Sequence, residues 1–284
     1  MPLVPMTDFL PQAKKEGFAV GQFNMNNLEF TQGIAAAAKE EKSPFIFGVS
    51  EGAMRYMGLD YVVAMAKVAA EESGVPVALH LDHGSSFDVV MKCIQAGFSS
   101  VMFDGSHYPF EENIRLTKEV VKAAHAVGVS VEGELGTIGG VEDDLQVDEA
   151  DAALAKPEEA IRFWEETKVD AMAIAVGTAH GMYKGEPRIH FDIIEETAKK
   201  IDVPIVLHGG SGVPDSAIRQ SISLGVGKIN VNTENQVACT QAIRDLLSEN
   251  PEMIDPRKYL GPGREAIKKT VIGKIRLFGS SGKA

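Results

Sequence analysis

Apolar and polar positions change period in a regular rhythm along this chain. Short runs rich in β-branched residues alternate with longer stretches whose apolar positions recur at helical spacing, the pattern of βα units feeding a parallel sheet. Eight strands are predicted, around 19–24 (AVGQFN), 44–50 (PFIFGVS), 76–82 (PVALHLD), 99–105 (SSVMFDG), 129–135 (VSVEGEL), 170–177 (DAMAIAVG), 204–210 (PIVLHGG) and 227–233 (GKINVNT). Helices are expected over 60–72, 87–96 and 111–127 among others. Gly74, Gly97, Gly128 and Gly225 each follow a helical stretch and precede a strand, where a left-handed residue turns the chain back. Eight such units closing on themselves give a (β/α)8 TIM barrel, and 284 residues suit one domain spanning 1–284, since these barrels take roughly 250. An open, doubly wound sheet with extra strands would produce a similar pattern. Two stretches stand outside the repeat: the Gly- and acid-rich 136–156 after strand five, expected to be a mobile loop over the active face, and a helical tail after Asn250.

Composition narrows the class of partner. Hydrophobic residues make up 44% and charged residues 24% of the chain, enough for a full core. A net charge of -12 argues against a nucleic-acid binder, whose affinity rests on a basic footprint. No apolar run approaches a membrane span, and MPLVPMTDFL lacks the basic and apolar regions of a leader, so a cytoplasmic protein is expected. Cys93 and Cys239 form no C-x-x-C pair and suggest neither a disulfide framework nor a thiolate metal site.

In barrels of this kind the chemistry sits where strands end. The strand ends here are polar: Asn24, Ser50, His80 with Asp82 and His83, Asp104, Glu134, His180, His208, then Asn230, Asn232 and Thr233. Histidines from the ends of strands three, six and seven can converge on one point and make a three-histidine zinc site with an open fourth position. Period-two alternation puts His80 and Asp82 on one face of strand three and His83 on the other, so spacing leaves open which histidine is the ligand. Asp82, Asp104 and Glu134 could act as acid and base, hold a metal, or simply cap the helices that follow.

After strand seven comes HGGSG (208–212) and after strand eight NVNTEN (230–235), each leading into a helix. Glycine backbone N–H groups, the hydroxyls of Ser211 and Thr233 and the helix dipole can together hold a phosphate there. A Schiff-base mechanism would need a buried lysine near a strand end. Lys228 falls at the start of strand eight and Lys184 in the loop YKGEP, and neither position is read as suitable.

Over nearly its whole length the sequence resembles the class II fructose-bisphosphate and tagatose-bisphosphate aldolases, most closely the short branch found in bacilli. The resemblance rests on LHLDHG (79–84), VMFDGSHYPFEENI (101–114), VEGELGTIGGVEDD (131–144), GTAHGMYKG (177–185), VLHGGSGVP (206–214), KINVNTEN (228–235) and DPRKYL (255–260). It implies a reversible, zinc-dependent aldol cleavage of fructose 1,6-bisphosphate to dihydroxyacetone phosphate and glyceraldehyde 3-phosphate, in glycolysis and gluconeogenesis. It implies His83, His180 and His208 as zinc ligands, Asp104 and Glu134 at a second divalent-metal position, and a monovalent cation (Na+ or K+) near the phosphate. Asp82 would exchange the proton of the hydroxyl at the reacting bond, and Glu142 would take the C3 proton of the ketone phosphate. Gly181, Lys184, Gly209, Gly210, Ser211, Asn230 and Thr233 match positions that bind the ketone phosphate, and Ser50 one that contacts the aldehyde. Arg257 would reach the other phosphate from a neighbouring subunit, so a homodimer or homotetramer is expected. Tagatose 1,6-bisphosphate is the near alternative substrate. A zinc-dependent hydrolase and a non-catalytic scaffold are the readings outside the family.

Overall fold

The computed structural model describes residues 2–142, 145–147, 153–183 and 185–284. Among them the strands are β1 (Val20–Asn24), β2 (Phe45–Val49), β3 (Val77–Gly84), β4 (Ser100–Phe103), β5 (Ser130–Leu135), β6 (Gly139–Glu142), β7 (Leu145–Val147), β8 (Ala171–Ile174), β9 (Ala179–His180), β10 (Ile205–Leu207) and β11 (Val226–Val231). The helices are α1 (Leu10–Glu16), α2 (Leu28–Glu41), α3 (Glu51–Met57), α4 (Leu59–Ser73), α5 (Phe87–Ala96), α6 (Phe110–His125), α7 (Pro157–Thr167), α8 (Phe191–Ala198), α9 (Asp215–Ser223), α10 (Thr233–Glu249) and α11 (Pro256–Phe278).

Eight strands pair in parallel and close in the order β1-β11-β10-β8-β5-β4-β3-β2, so the predicted barrel forms and the open sheet does not. Each predicted strand lies at its expected place, and the glycines at 74, 97, 128 and 225 are all left-handed. One face of each strand turns outward to the helices: Phe23, Phe45, Phe47, Val77, Leu79, Val131, Met172 and Ile229 lie in one buried layer with helix residues such as Ile34, Ala66 and Ile267. Each large side chain so buried stabilises the fold by roughly 1.5–3 kcal/mol.

The other face of each strand fills the lumen, and its chemistry changes with height. At the floor, Val20, Ile46, Ala78, Ala171, Ala173 and Val206 pack on Met6, Phe9, Leu10, Ala13 and Phe18, so the N-terminal segment plugs the bottom with apolar side chains. The Met6 N–H donating to Ser130 Oγ at 2.9 Å ties that plug to β5. Above the floor, side chains meet that come from strands which are not neighbours: Asn24 with Asp82, His80 with Glu132, and Glu132 with Lys228. Such pairs can meet only across the lumen.

The segment after β5 departs from the loop expected there. Residues 139–142 and 145–147 make an antiparallel hairpin, and β6 pairs in parallel with β9, giving a small sheet over the mouth in the order β7-β6-β9. Its partner strand is more than thirty residues further along the chain, so local composition carried no sign of it. The expected tail is α11, which packs on α2, where Gly33 meets Ile267, and on α10, where Gly263 meets Cys239 and Ile243. Among the described residues no helix is long and apolar enough to cross a membrane.

Candidate active site

The mouth of the barrel gathers most of the predicted residues. His83, His180 and His208 each offer a ring nitrogen within 4.8 Å of the others. His83 Nε2 faces His208 Nδ1 at 3.1 Å, while the remaining nitrogens of these two rings are committed to carboxylates: His83 Nδ1 to Asp104 Oδ2 at 2.8 Å and His208 Nε2 to Glu132 Oε1 at 2.9 Å. Four nitrogens at zinc bond lengths around a tetrahedron lie about 3.4 Å apart. The donor set therefore fits a zinc-sized cation: two inward-facing nitrogens at that spacing, a third histidine within reach, and rings oriented from behind by carboxylates.

Local backbone geometry brings His83, rather than His80, to the histidine cluster. His83 is left-handed at φ 52°, and β3 carries one extra residue against β4, pairing Leu81 with Val101 and then Gly84 with Phe103. This bulge breaks the alternation that would otherwise put Asp82 and His83 on opposite faces. A non-glycine residue held in this region is strained, and such strain persists where surrounding contacts enforce it. His80 lies one layer lower, fully buried, with Nδ1 2.7 Å from Ser100 Oγ, and it is not part of the histidine cluster.

The electrostatics favour positive charge at the cluster. Burial opposes a charged His83, but its hydrogen bond to Asp104 and the charge of Asp82 outweigh this and raise its pKa well above the usual value. Burial lowers His180 and His208, which favours the neutral form of both rings. Burial also works against an ionised Asp82, yet His83, His208 and Lys228 hold it well below the usual carboxylate range. Its Oδ2 accepts from Asn24 Nδ2 at 3.1 Å, and Oδ1 has no hydrogen-bond partner among the described residues. Asp104 is depressed despite burial by its hydrogen bond to His83, whereas burial and Asp104 push Glu134 well above its ordinary value. His83, Asp104 and Glu134 form a second cluster with ligand atoms within 4.8 Å, where a proton or a cation relieves two facing carboxylates.

The turn after β10, where a phosphate is expected, is held by close packing and hydrogen bonds. Gly209, at φ +65°, packs so close to Ala179 that a β-carbon would lie 2.7 Å from the Ala179 carbonyl carbon; only glycine fits. Tyr183 Oη accepts from the Ala179 N–H at 2.9 Å and donates to the Gly209 carbonyl at 2.8 Å, locking β9 to the turn. The Gly210 N–H donates to the Asn230 carbonyl at 2.9 Å. Ser211 Oγ accepts from the Glu234 N–H at 3.2 Å, which leaves its own proton to donate. Glu234 in turn accepts from the Gly212 N–H and from Lys274 Nζ, each at 2.6 Å, so α11 braces this turn. Thr233 opens α10 beside it, and Gly181 follows His180 in a left-handed turn.

Other predicted residues lie at the margins. Ser50 caps α3, its Oγ accepting from the Ala53 N–H at 3.1 Å. Arg257 is 88% exposed and held at 3.0 Å by Asp255, turned to solvent rather than to this chain's histidine cluster. Lys184 lies outside the described residues, as does the side chain of Glu142, whose backbone ends β6.

Sequence reasoning missed the layer beneath the histidines. Lys228 projects into the lumen, fully buried, with Nζ 2.8 Å from both Glu132 Oε2 and Asn230 Oδ1, which corrects its placement as an unsuitable strand-start lysine. Burial would raise Glu132, but Lys228 beside it brings it down to about 2. Glu132 and Lys228 share the inward face with Glu134 and Asn230, two residues further along the same strands, and that period was the available signal.

Residues 4–283 match the family model for class-II fructose-bisphosphate aldolase. The chain is 58% identical to a probable fructose-bisphosphate aldolase of Bacillus subtilis, covering 100% of both, and 56% identical to the fructose-bisphosphate aldolase of Geobacillus stearothermophilus, covering 100% of this chain and 99% of the other. Among solved structures it resembles the YdjI aldolase of Escherichia coli K12, at 34% identity and a TM-score of 0.86 over 99% of each chain. Matched from end to end at such identity and on the same barrel, the chain belongs to the class II fructose-bisphosphate aldolase family, and is a carbon–carbon lyase of a family that works with a divalent metal on phosphorylated sugars.

Proposed function

We propose that this aldolase, as one domain over residues 1–284, reversibly cleaves fructose 1,6-bisphosphate to dihydroxyacetone phosphate and glyceraldehyde 3-phosphate in the cytoplasm, with Zn2+ held by His83, His180 and His208. The observation that carries the metal assignment is the 3.1 Å approach of His83 Nε2 and His208 Nδ1, with the far side of each ring hydrogen-bonded to a carboxylate. When bound, the metal supplies fixed positive charge that polarises the ketone carbonyl and acidifies the neighbouring C–H.

The rest falls to the chain. Asp82 is ionised, and its Oδ1, without a partner among the described residues, accepts the proton of the C4 hydroxyl during cleavage and returns it during condensation, while Asn24 holds Oδ2. Glu142 exchanges the C3 proton of the ketone phosphate, a reading supported by the pairing of its strand with β9, which ends in His180. Gly181, Lys184, Gly209, Gly210, Ser211, Asn230 and Thr233 hold the ketone phosphate, with a monovalent cation (Na+ or K+) beside them, and Ser50 contacts the aldehyde portion. Asp104 and Glu134 with His83 hold a second divalent metal, supported by the charge that Glu134 cannot carry alone. Arg257, exposed and held by Asp255 in its own chain, serves the second phosphate of a neighbouring subunit in a homodimer or homotetramer.

The test is cleavage of fructose 1,6-bisphosphate and tagatose 1,6-bisphosphate before and after chelation, with zinc restored and borohydride as control. Activity on the fructose sugar that is lost with the metal, recovered with zinc and indifferent to borohydride is expected. Preference for the tagatose sugar would move the substrate, and cleavage trapped by borohydride after chelation would move the chemistry to a lysine such as Lys228.

A further inference from the structure

A buried Lys–Glu pair is an expensive way to fill a barrel. The lumen of these folds is ordinarily packed with branched apolar side chains, and an apolar pair of the same volume stabilises as well or better. Lys228 and Glu132 are both wholly buried, and the ammonium reaches across the lumen from β11 to β5. What the pair touches suggests why it is there. The other oxygen of Glu132, Oε1, lies 2.9 Å from His208 Nε2, and the Lys228 ammonium donates to Asn230 Oδ1 at 2.8 Å.

These contacts remove two ambiguities that side chains of this kind otherwise have. A carboxylate only accepts, so His208 must carry its proton on Nε2 and present the Nδ1 lone pair to His83 and the cluster. An ammonium only donates, so Asn230 must turn its oxygen down to Lys228 and its amide Nδ2 away. That Nδ2 is buried and without a partner among the described residues, a donor left to point away from the lysine. Lys228 and Asn230 lie two residues apart on one face of β11, so the ammonium sits directly beneath the amide it orients.

We propose that Lys228 is a positioning residue that sets both halves of the site at once: through Glu132 it fixes the tautomer of the ligand His208, and directly it fixes the amide of Asn230. The inference rests on the reading that His208 holds the metal. It predicts that metal affinity and substrate affinity change together when this buried pair, neither member of which touches metal or substrate, is replaced.

The experiment uses the full-length protein and compares Lys228→Met with the Glu132→Gln/Lys228→Met pair, in which both charges leave together and no unpaired charge remains in the lumen. Zinc affinity is read by chelator competition, the ligand field by Co2+ absorption, and kcat and KM on fructose 1,6-bisphosphate separately. The double variant should keep the thermal midpoint of the metal-free fold, bind zinc about 10–100-fold more weakly, shift the Co2+ bands and raise KM. Adding Asn230→Ala should leave no further KM effect for the lysine to exert. Zinc affinity and Co2+ bands equal to wild type in the folded double variant would overturn the proposal. If the variants do not fold, wild-type protein labelled with 15N-histidine decides: a His208 protonated on Nδ1, identified by loss of its signal in His208→Gln, overturns it. Wild type that binds no zinc at all would instead sink the metal reading itself.

Discussion

The substitution Gly140→Ala isolates the hairpin over the mouth from the barrel beneath it. Gly140 pairs with His180 at φ +104°, and a β-carbon there would lie 2.7 Å from the His180 nitrogen and 2.9 Å from its carbonyl carbon, against ordinary contacts that begin at 3.4 Å. Those neighbours are backbone and cannot swing aside. Of the two strands, β9 is held from the other side by the Tyr183 hydroxyl and the Gly209 turn, so β6 must yield. The alanine adds backbone strain of roughly 1–2 kcal/mol and moves the strand carrying Glu142 by on the order of 1 Å, a displacement that costs about 10²-fold when it separates reacting groups. Steady-state kinetics on fructose 1,6-bisphosphate should therefore show kcat/KM down by about that factor, mostly in kcat, with zinc content unchanged. Gly128→Ala is the control: at φ +75° with open space around it, it should lose roughly 1–2 kcal/mol in urea unfolding and keep its activity. A Gly140→Ala enzyme with wild-type kcat would refute the role given to the hairpin, as would one that loses its zinc in step with its activity.

Three further outcomes follow from the same geometry. Tyr183→Phe strips the hydroxyl between the Ala179 N–H and the Gly209 carbonyl; with about 1–3 kcal/mol of hydrogen bonding at stake, KM for dihydroxyacetone phosphate should rise about tenfold or more, and an unchanged KM would dismiss the lock. Burial, then Lys228, lowers His80 to about 3, so between that pH and about 6.5 the unfolded chain binds a proton that the folded one does not. Its contribution to stability is whole above about pH 6.5 and falls by roughly 1.4 kcal/mol per unit as pH drops toward 3; His80→Gln should remove one proton from that slope in urea titrations, and parallel slopes would contradict it. Arg257→Ala and His83→Ala, each nearly inactive alone, should regain activity when their subunits are mixed and exchanged; no recovery in verified hybrids would place Arg257 outside the neighbour's site.

How much of this was legible in the sequence depends on how far apart the interacting residues are. The eight strands and the convergence of His180 and His208 follow from local period and from where strands end. His83 could not be placed by period, because a left-handed residue and a bulge shift its face, and nothing in LHLDHG marks a bulge except its final glycine. The hairpin of 139–147 read as loop because the strand that makes it a sheet, Ala179–His180, is distant in sequence. Lys228 was set aside for its place at the start of a strand and Glu132 was not singled out; that each is the other's reason for being buried is visible only across a closed lumen. Arg257 has no legible place in one chain at all.

The height at which each kind of residue sits in the lumen explains how a site with this much buried charge coexists with a stable fold. The floor is apolar and sealed by Met6, Leu10 and Phe18, and the outer helices pack on the opposite face of every strand, so the hydrophobic stabilisation is supplied away from the mouth. The middle layer is charged yet balanced, Glu132 against Lys228 with His80 neutral beside them. At the top the balance is deliberately missing: Asp82, Asp104 and Glu134 face His83, and no lysine or arginine is paired with them among the described residues. Negative charge in excess at the mouth of a protein already at -12 would repel a sugar bisphosphate unless a cation resided there. The same carboxylates that make the apo mouth unfavourable for substrate make it favourable for a divalent ion, so binding the metal and becoming able to bind the substrate are one electrostatic event.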